Sequence, residues 1–131
     1  MKKRIVLLLA LAACGGSSAT APDPNAGVFG TYALVTHNGA NLPTDGIVSG
    51  EMRLLADHYE FAYSGAGQPN VYTERGTWRL DGSAIVLHSM TAVNWQTPPD
   101  WTGTVSAGTL SMNAESNPSW TRLHPAMVFK R

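Results

Sequence analysis

The feature that most constrains the fold is a series of short β-prone runs separated by tight-turn signals, which occupies the chain from residue 27 to its end. The clearest turn is Asp81-Gly82, which separates the run 71–80 from the run 84–90. Asp-Gly between two such runs indicates a hairpin, because both central residues of its turn adopt positive φ. No window in this part of the sequence carries a sustained apolar stripe with the 3.6-residue period of a helix.

Alternation along the runs predicts which side chains face inward. In the run 59–63 the aromatic residues alternate with Glu60 and Ala62, the period-two pattern of a strand with one buried face. In the run 71–80 large apolar side chains again share one parity. We expect the following side chains to lie in the interior: Tyr59, Phe61, Tyr63, Tyr72, Trp78, Leu87, Met90 and Met112.

These patterns give eight or nine short strands joined in sequence order, for which consecutive antiparallel pairing is the simplest topology. The length of 131 residues favours one folded domain, which we place at residues 27–131. Such a chain removes its sheet edges by closing on itself. We therefore expect an all-β, eight-stranded antiparallel up-and-down barrel, with a two-sheet β-sandwich as the alternative.

The charge of the chain changes when its first residues are set aside. Basic and acidic residues balance over the whole sequence, but three of the nine bases are Lys2, Lys3 and Arg4. The rest of the chain holds six bases and nine acids, a net charge of −3. A mildly acidic domain with scattered bases lacks the electrostatic footprint of a nucleic-acid-binding protein.

The N-terminal segment has the features of an export signal. Its first four residues are strongly basic, and residues 5–13 form an apolar run. That run is about half the ~20 residues needed to span a bilayer, so it fits a signal peptide better than a transmembrane helix. We interpret residues 1–13 as a cleaved signal. Cys14, the one cysteine of the chain, follows directly.

The sequence Leu11-Ala12-Ala13-Cys14 resembles the lipobox of bacterial lipoproteins. The resemblance implies that the Cys14 sulfur receives a diacylglyceryl group, that cleavage occurs before Cys14, and that the new amino terminus is acylated. Two or more acyl chains hold a protein firmly at a membrane. We therefore expect a protein of the bacterial cell envelope. Gly15 replaces the aspartate that signals inner-membrane retention, so a Gram-negative host would carry it on the outer membrane, at the periplasmic face or the cell surface.

Residues 14–26 have the composition of a linker. They contain two prolines and several small or polar residues, and they lack apolar periodicity. Such a composition gives a flexible to extended chain. We interpret this segment as a lipidated tether that lifts the folded domain off the membrane.

Short motifs of the domain resemble those of the small lipocalin-like domains of bacterial lipoproteins. They are Phe29-Gly30-Thr31-Tyr32, Gly76-Thr77-Trp78-Arg79-Leu80-Asp81-Gly82, Trp101-Thr102-Gly103-Thr104-Val105, Gly108-Thr109-Leu110 and Val128-Phe129-Lys130-Arg131. In lipocalins a Gly-x-Trp motif lies on the first strand, and a basic residue of the last strand packs across its tryptophan. The resemblance implies that Tyr32 takes the place of that tryptophan and that Lys130 or Arg131 lies over its ring.

The sequence carries no strong pattern for catalysis or metal binding. A Gly-x-Ser-x-Gly nucleophile motif is missing, and Glu60 and Glu74 are expected on exposed faces, paired with Arg53 or Arg75. The histidines lack the close spacing of metal ligands, so we interpret them as surface or turn residues rather than a metal site. They are His37, His58, His88 and His124. We predict that the chain is not an enzyme and holds neither a cofactor nor a metal.

Aromatic side chains are the best candidates for contact with a ligand or partner: Tyr72, Trp78, Trp95 and Trp101. Trp95 and Trp101 flank Pro98-Pro99 and either form a rim for a sugar or peptide or, as we favour, cap the barrel and are buried. We expect a monomeric, non-catalytic binding module for a small apolar ligand or an envelope partner. The alternative is a structural or interaction lipoprotein with a filled barrel and no ligand.

Overall fold

The structure is a computed structural model, and it describes residues 23, 25–91, 99–115 and 124–131. None of the described residues belongs to a helix long and apolar enough to cross a bilayer. The strands are β1 (Gly30–His37), β2 (Ala40–Asn41), β3 (Ile47–Leu54), β4 (Tyr59–Gly65), β5 (Gln68–Asp81), β6 (Ala84–Ser89), β7 (Trp101–Ser106), β8 (Thr109–Met112) and β9 (Met127–Lys130).

Eight of these strands close into an antiparallel up-and-down barrel. The order is β1-β3-β4-β5-β6-β7-β8-β9, and β9 pairs back onto β1. Strand β2 is a two-residue addition to the end of β1. Closure gives the backbone groups of each strand a neighbour on both sides, which an open sheet cannot do at its edges. The predicted eight-stranded barrel is confirmed, and the β-sandwich alternative is wrong.

The first strand closes the barrel by pairing with β3 along one edge and with β9 along the other. The first four residues of β1 pair with β3, and the residues from Ala33 onward pair with β9. The register with β9 shifts between Leu34 and Thr36. A bulge of this kind bends a strand and increases its twist.

The barrel has two ends that differ in their connections. At the turn end, where β1 begins, three short connections join the strands: residues 55–58, 82–83 and 107–108. The remaining connections lie at the loop end. One of them, residues 38–46, contains β2, and the others are residues 66–67, 90–100 and 113–126. The predicted hairpin between β5 and β6 lies at the turn end, but Asp81 still pairs with Ala84 and the two-residue turn is Gly82-Ser83. Of the predicted central pair, Gly82 has the expected positive φ of 60° and Asp81 does not.

Inward-facing side chains form a hydrophobic core inside the barrel. The buried hydrophobic residues are Tyr32, Leu34, Ile47, Met52, Leu54, Tyr59, Phe61, Ile85, Leu87, Trp101, Leu110, Met112, Met127 and Phe129. Of the predicted interior residues, Tyr63, Tyr72 and Trp78 are partly buried and pack against this core. The prediction that Met90 lies in the interior is wrong, because its side chain is 70% exposed. It follows the inward-facing Ser89, so alternation turns its side chain outward.

The turn end is closed by the last residue of the chain. The guanidinium of Arg131 lies 5.2 Å from the centroid of the Tyr32 ring. It also donates hydrogen bonds to the backbone oxygens of Phe29, at 3.0 Å, and Gly27, at 2.8 Å. The predicted packing of a C-terminal cation over Tyr32 is confirmed, with Arg131 in that role and Lys130 exposed to solvent.

Candidate functional site

The barrel interior contains a buried carboxylate, Glu74 on β5. Its side chain is inaccessible to solvent. The hydroxyl groups of Tyr59 and Tyr72 donate hydrogen bonds to its two oxygens. The Nε2 atom of His124 lies 2.9 Å from Glu74 Oε2. Three neighbours thus satisfy a group that would be costly to bury without partners.

This position corrects the expectation that Glu74 lies on an exposed face. Along β5, Glu74 shares the inward parity of Tyr72 and Trp78, and its acidic character does not override the register of the strand. Glu60, in contrast, does lie on the outer face. Its Oε2 atom is 3.3 Å from Nη1 of Arg53, as the cross-strand pairing predicted.

Gly76 makes room for one of the tyrosines that reach Glu74. Gly76 and Tyr59 are paired residues of β5 and β4. A Cβ atom on Gly76 would lie 2.8 Å from Tyr59 Cε1 and 2.0 Å from the backbone oxygen of His88 on β6. Only glycine permits both approaches. The Tyr59 ring therefore lies across the β5 backbone, with its hydroxyl at the Glu74 carboxylate.

The environment keeps Glu74 ionised. Burial alone would raise the pKa of this carboxyl, but hydrogen bonding and charge from His124, together with the two tyrosine hydroxyls, hold the pKa below its ordinary value. Burial, with the adjacent Glu74 charge, raises the pKa of Tyr59 well above its ordinary value. Tyr59 is therefore a neutral donor, and Glu74 is a fixed negative charge inside the barrel.

His124 joins this site from the connection that precedes β9. Its ring stacks on Trp101, with centroids 4.6 Å apart and planes 10° from parallel. Trp101 is fully buried, and its Nε1 donates to the backbone oxygen of Asn113 at 2.7 Å. His124 and His37 are each 9% exposed, so the interpretation of all histidines as surface or turn residues is wrong for these two. Each is held by a carboxylate, which for His37 is Asp45.

Glu115 lies on the other side of the His124 ring. Its Oε1 atom accepts the backbone N–H of Thr102 at 3.0 Å. Its Oε2 atom is buried without a hydrogen-bond partner and lies 3.8 Å from His124 Nδ1. Burial raises the pKa of this carboxyl. Within the described residues, no group of three or more histidine, cysteine and acidic side chains is arranged to hold a metal ion.

The predicted contact residues do not form one site. Tyr72 and Trp101 both touch Phe61, with ring centroids 5.8 Å and 5.6 Å from it. Trp78 lies toward the turn end, where its Nε1 donates to the backbone oxygen of Leu55 at 2.7 Å. It also meets Phe29 edge-on at 5.8 Å. Trp78 is therefore part of the turn-end packing, away from the Glu74 site.

Two predicted residues, Trp95 and Cys14, lie outside the described residues, so the predictions for them remain predictions. The burial of Trp101 agrees with the interpretation of this tryptophan as a cap rather than a rim.

Two surface depressions lie on the outer faces of strands. One, of about 280 Å³, is lined by Ser49, Gly50, Glu51, Ala62, Ser64 and Asn70. The other, of about 260 Å³, is lined by Thr77, Trp78, Arg79, Val86, His88 and Asp100. Neither reaches the Glu74 site, whose residues are absent from both linings.

Neither Glu74 nor His124 was predicted from the sequence to be a partner of the other. A signal for Glu74 was present, since it stands two residues after Tyr72 and two before Gly76 on the inward face of β5. His124 carried no local signal, because 50 positions separate it from Glu74 and only the closed barrel brings them together. Comparisons of the chain with protein-family models, curated proteins and solved structures give no match.

Proposed function

We propose that this chain is a lipid-anchored protein of the bacterial cell envelope, and that its lipocalin-like barrel is a non-catalytic module that binds a partner at the loop end. The observation that carries the binding part of the proposal is the packing around Phe61. Its ring meets four other aromatic rings, with centroids 5.6 to 5.9 Å away: Tyr63, Tyr72, Trp101 and Phe129.

This packing favours a filled barrel over the carriage of an apolar ligand. A site for a small molecule commonly needs about 300 Å³ or more. An eight-stranded barrel is just wide enough to be filled by its own side chains or to hold one small ligand. Here aromatic rings from β4, β5, β7 and β9 meet near the axis, so the described interior favours the first outcome.

The position of the N-terminal segment favours the loop end as the binding surface. Gly27 is held at the turn end by Arg131, so a tether formed by residues 14–26 would enter the domain there. A tether of that length reaches at most about 45 Å from the membrane when fully extended. The loop end would then face away from the lipid, and the long connections at that end are the part of a β-barrel that most readily carries recognition.

A second candidate function is the binding of a small ligand at the mouth of the barrel. Tyr63 and Tyr72 stack with centroids 5.3 Å apart and planes 19° from parallel, and both side chains are only partly buried. A stacked aromatic pair offers a face to a flat or sugar-like ligand. The partner and the ligand would occupy the same end of the molecule.

The lipid anchor is tested by Cys14→Ser. The wild-type chain is expected to have a mass that corresponds to residues 14–131 plus acyl groups, and to partition with membranes. The Cys14→Ser chain is expected to lose the acyl mass and become extractable without detergent. An unchanged mass together with unchanged membrane partition would remove the anchor from the proposal.

Partner binding is tested by placing a photo-crosslinking amino acid at Gln68, an exposed residue beside the loop-end turn, and at the exposed Ser83 of the turn end as matched control. We expect a discrete protein adduct in cells from Gln68 only. Native mass spectrometry of the Cys14→Ser chain tests the second candidate. A stoichiometric small molecule retained by that chain, with no adduct at Gln68, would favour the ligand over the partner.

A further inference from the structure

The ring of His124 lies between two carboxyl groups from different parts of the barrel. Its Nε2 atom is 2.9 Å from Oε2 of Glu74 on β5, and its Nδ1 atom is 3.8 Å from Oε2 of Glu115, which follows β8. Glu74 already accepts from two tyrosine hydroxyls and is ionised, so it accepts from His124 as well. The proton of this hydrogen bond therefore resides on Nε2.

With a proton on Nε2, a neutral His124 has a bare lone pair on Nδ1. This lone pair faces the Oε2 atom of Glu115, which is buried without a hydrogen-bond partner. The two residues cannot simply move apart, because the Glu115 N–H donates to the His124 backbone oxygen at 2.9 Å. Oε1 of Glu115 is fixed by the N–H of Thr102 on β7. Two facing acceptors in a buried setting are unfavourable unless a proton lies on one of them.

We propose that Glu115 and His124 hold one shared proton in the folded protein, and that this proton-dependent clasp fastens the two ends of the β8–β9 connection to the barrel wall. The clasp joins Glu115 and His124 to each other, to Thr102 on β7 and to Glu74 on β5. It does not depend on what the domain binds, so it stands or falls separately from the proposed function.

The charges around the clasp favour retention of the proton. Among the described residues, two carboxyl groups lie against the His124 ring, Glu74 and Glu115. The charge of Asp100, which precedes β7, acts on Glu115. The hydroxyls of Tyr59 and Tyr72 face Glu74 as neutral donors. His88 is the other imidazole nearby, but its Nδ1 is 2.7 Å from Asp100 on the outer surface. Burial raises the pKa of Glu115, against the hydrogen bonds from Thr102 and His124 and the charge of His124, and the Asp100 charge adds a smaller rise.

The clasp makes stability depend on pH in a definite direction. In the unfolded chain a glutamate releases its proton near a pKa of about 4.3. The folded state keeps the proton to higher pH. The stabilisation is therefore complete below that value and is lost as pH rises through the raised pKa of the folded state. Relative to a chain in which residue 115 cannot titrate, one linked proton increases the unfolding equilibrium constant by up to about tenfold per pH unit over this range.

The test compares the full-length chain with its Glu115→Gln variant. The amide of glutamine donates to Nδ1 without titrating, and its oxygen still accepts from Thr102. We expect the unfolding constant of the wild type to rise between about pH 5 and about pH 8 relative to that of Glu115→Gln, by up to about tenfold per pH unit. His88→Gln, which removes the exposed imidazole, is the matched control and should keep the wild-type slope. Equal slopes for wild type and Glu115→Gln would overturn the clasp.

A second measurement keeps the proposal testable if Glu115→Gln does not fold. In the wild-type chain, the ¹⁵N shifts of the His124 ring and the ¹³C shift of the Glu115 carboxyl are followed against pH. We expect Nε2 to remain protonated, and the Nδ1 and Glu115 signals to titrate together as one event. Nδ1 and Glu115 signals that titrate as two separate events, or a Glu115 carboxyl that ionises near the ordinary glutamate pKa of about 4.3, would contradict the shared proton.

Discussion

Glu74 illustrates how a single buried charge is tolerated when the fold supplies donors from several strands. Its carboxylate collects hydrogen bonds from Tyr59, Tyr72 and His124. Replacing a buried ion pair by apolar side chains is often neutral, but removing one partner leaves the others unsatisfied. Removing Glu74 is therefore expected to destabilise the protein by more than the intact set of hydrogen bonds stabilises it.

We expect Glu74→Ala to lower the free energy of unfolding by about 3–5 kcal/mol, because two hydroxyls and an imidazole lose their acceptor inside the barrel. Glu74→Gln keeps the shape and one acceptor oxygen, so its cost should be smaller. The control is Glu60→Ala, which removes an exposed carboxylate that faces Arg53 and should cost less than about 1 kcal/mol. Urea denaturation measures all three. Equal losses for Glu74→Ala and Glu60→Ala would contradict the assignment of Glu74 as a buried anchor.

The lowered pKa of Glu74 leads us to expect a loss of stability in acid. The pKa of Glu74 is lower in the folded state than in the unfolded chain. Its stabilisation is therefore present above the ordinary glutamate pKa of about 4.3 and is lost as pH falls through the lower folded value. The difference in Tm between wild type and Glu74→Gln should shrink as pH falls below about 4. A constant difference across that range would show that Glu74 does not titrate with folding.

At the scale of the strands, β5 has no room for a side chain at Gly76, because the backbone of β6 lies against it. Gly76 pairs with Ser89 on one side and with Tyr59 on the other. A side chain at this position would meet the backbone of β6, which cannot rotate away as a side-chain end can. The run from Gly76 to Gly82 is thus constrained at its start by packing and at its end by the hairpin turn.

We expect Gly76→Ala to cost about 3 kcal/mol in the free energy of unfolding, because its Cβ would lie 2.0 Å from the His88 oxygen and the strands must separate. The matched control is Gly27→Ala. A Cβ on Gly27 meets no atom within 4 Å, so this change should stay within about 0.5 kcal/mol. Thermal or urea unfolding of the two variants decides the matter. A Gly76→Ala protein as stable as Gly27→Ala would mean that β5 and β6 are not held this closely.

At the scale of the whole molecule, the parts predictable from sequence were those set by local chemistry. The Asp81-Gly82 hairpin, the inward parity of Tyr59 and Phe61, and the Arg131 cation over Tyr32 all follow from short motifs. Contacts between segments that are distant in the sequence have no short motif that predicts them. Neither the stacking of His124 on Trp101 nor its bond to Glu74 could be predicted, because each depends on the closed order of eight strands.

The proposal that the barrel is filled yields a prediction for the molecule as a whole. Phe61 is 2% exposed and in ring contact with aromatic side chains from β5, β7 and β9. Phe61→Ala should lower the free energy of unfolding by about 3–5 kcal/mol and leave an apolar cavity, because surrounding rings relax only partly into the vacated space. Such a cavity binds xenon or benzene, whereas the wild-type barrel should not.

The measurement follows the methyl resonances of the buried methionines under xenon pressure. We expect shifts near the axis of the barrel in Phe61→Ala and none in wild type. The control is Val71→Ala, which shortens a 48% exposed side chain on the outer face and should create no cavity. Xenon-dependent shifts in the wild type would show that the interior already has room for an apolar guest. Since the proposed loop-end partner rests on a filled interior, that result would favour the small ligand instead.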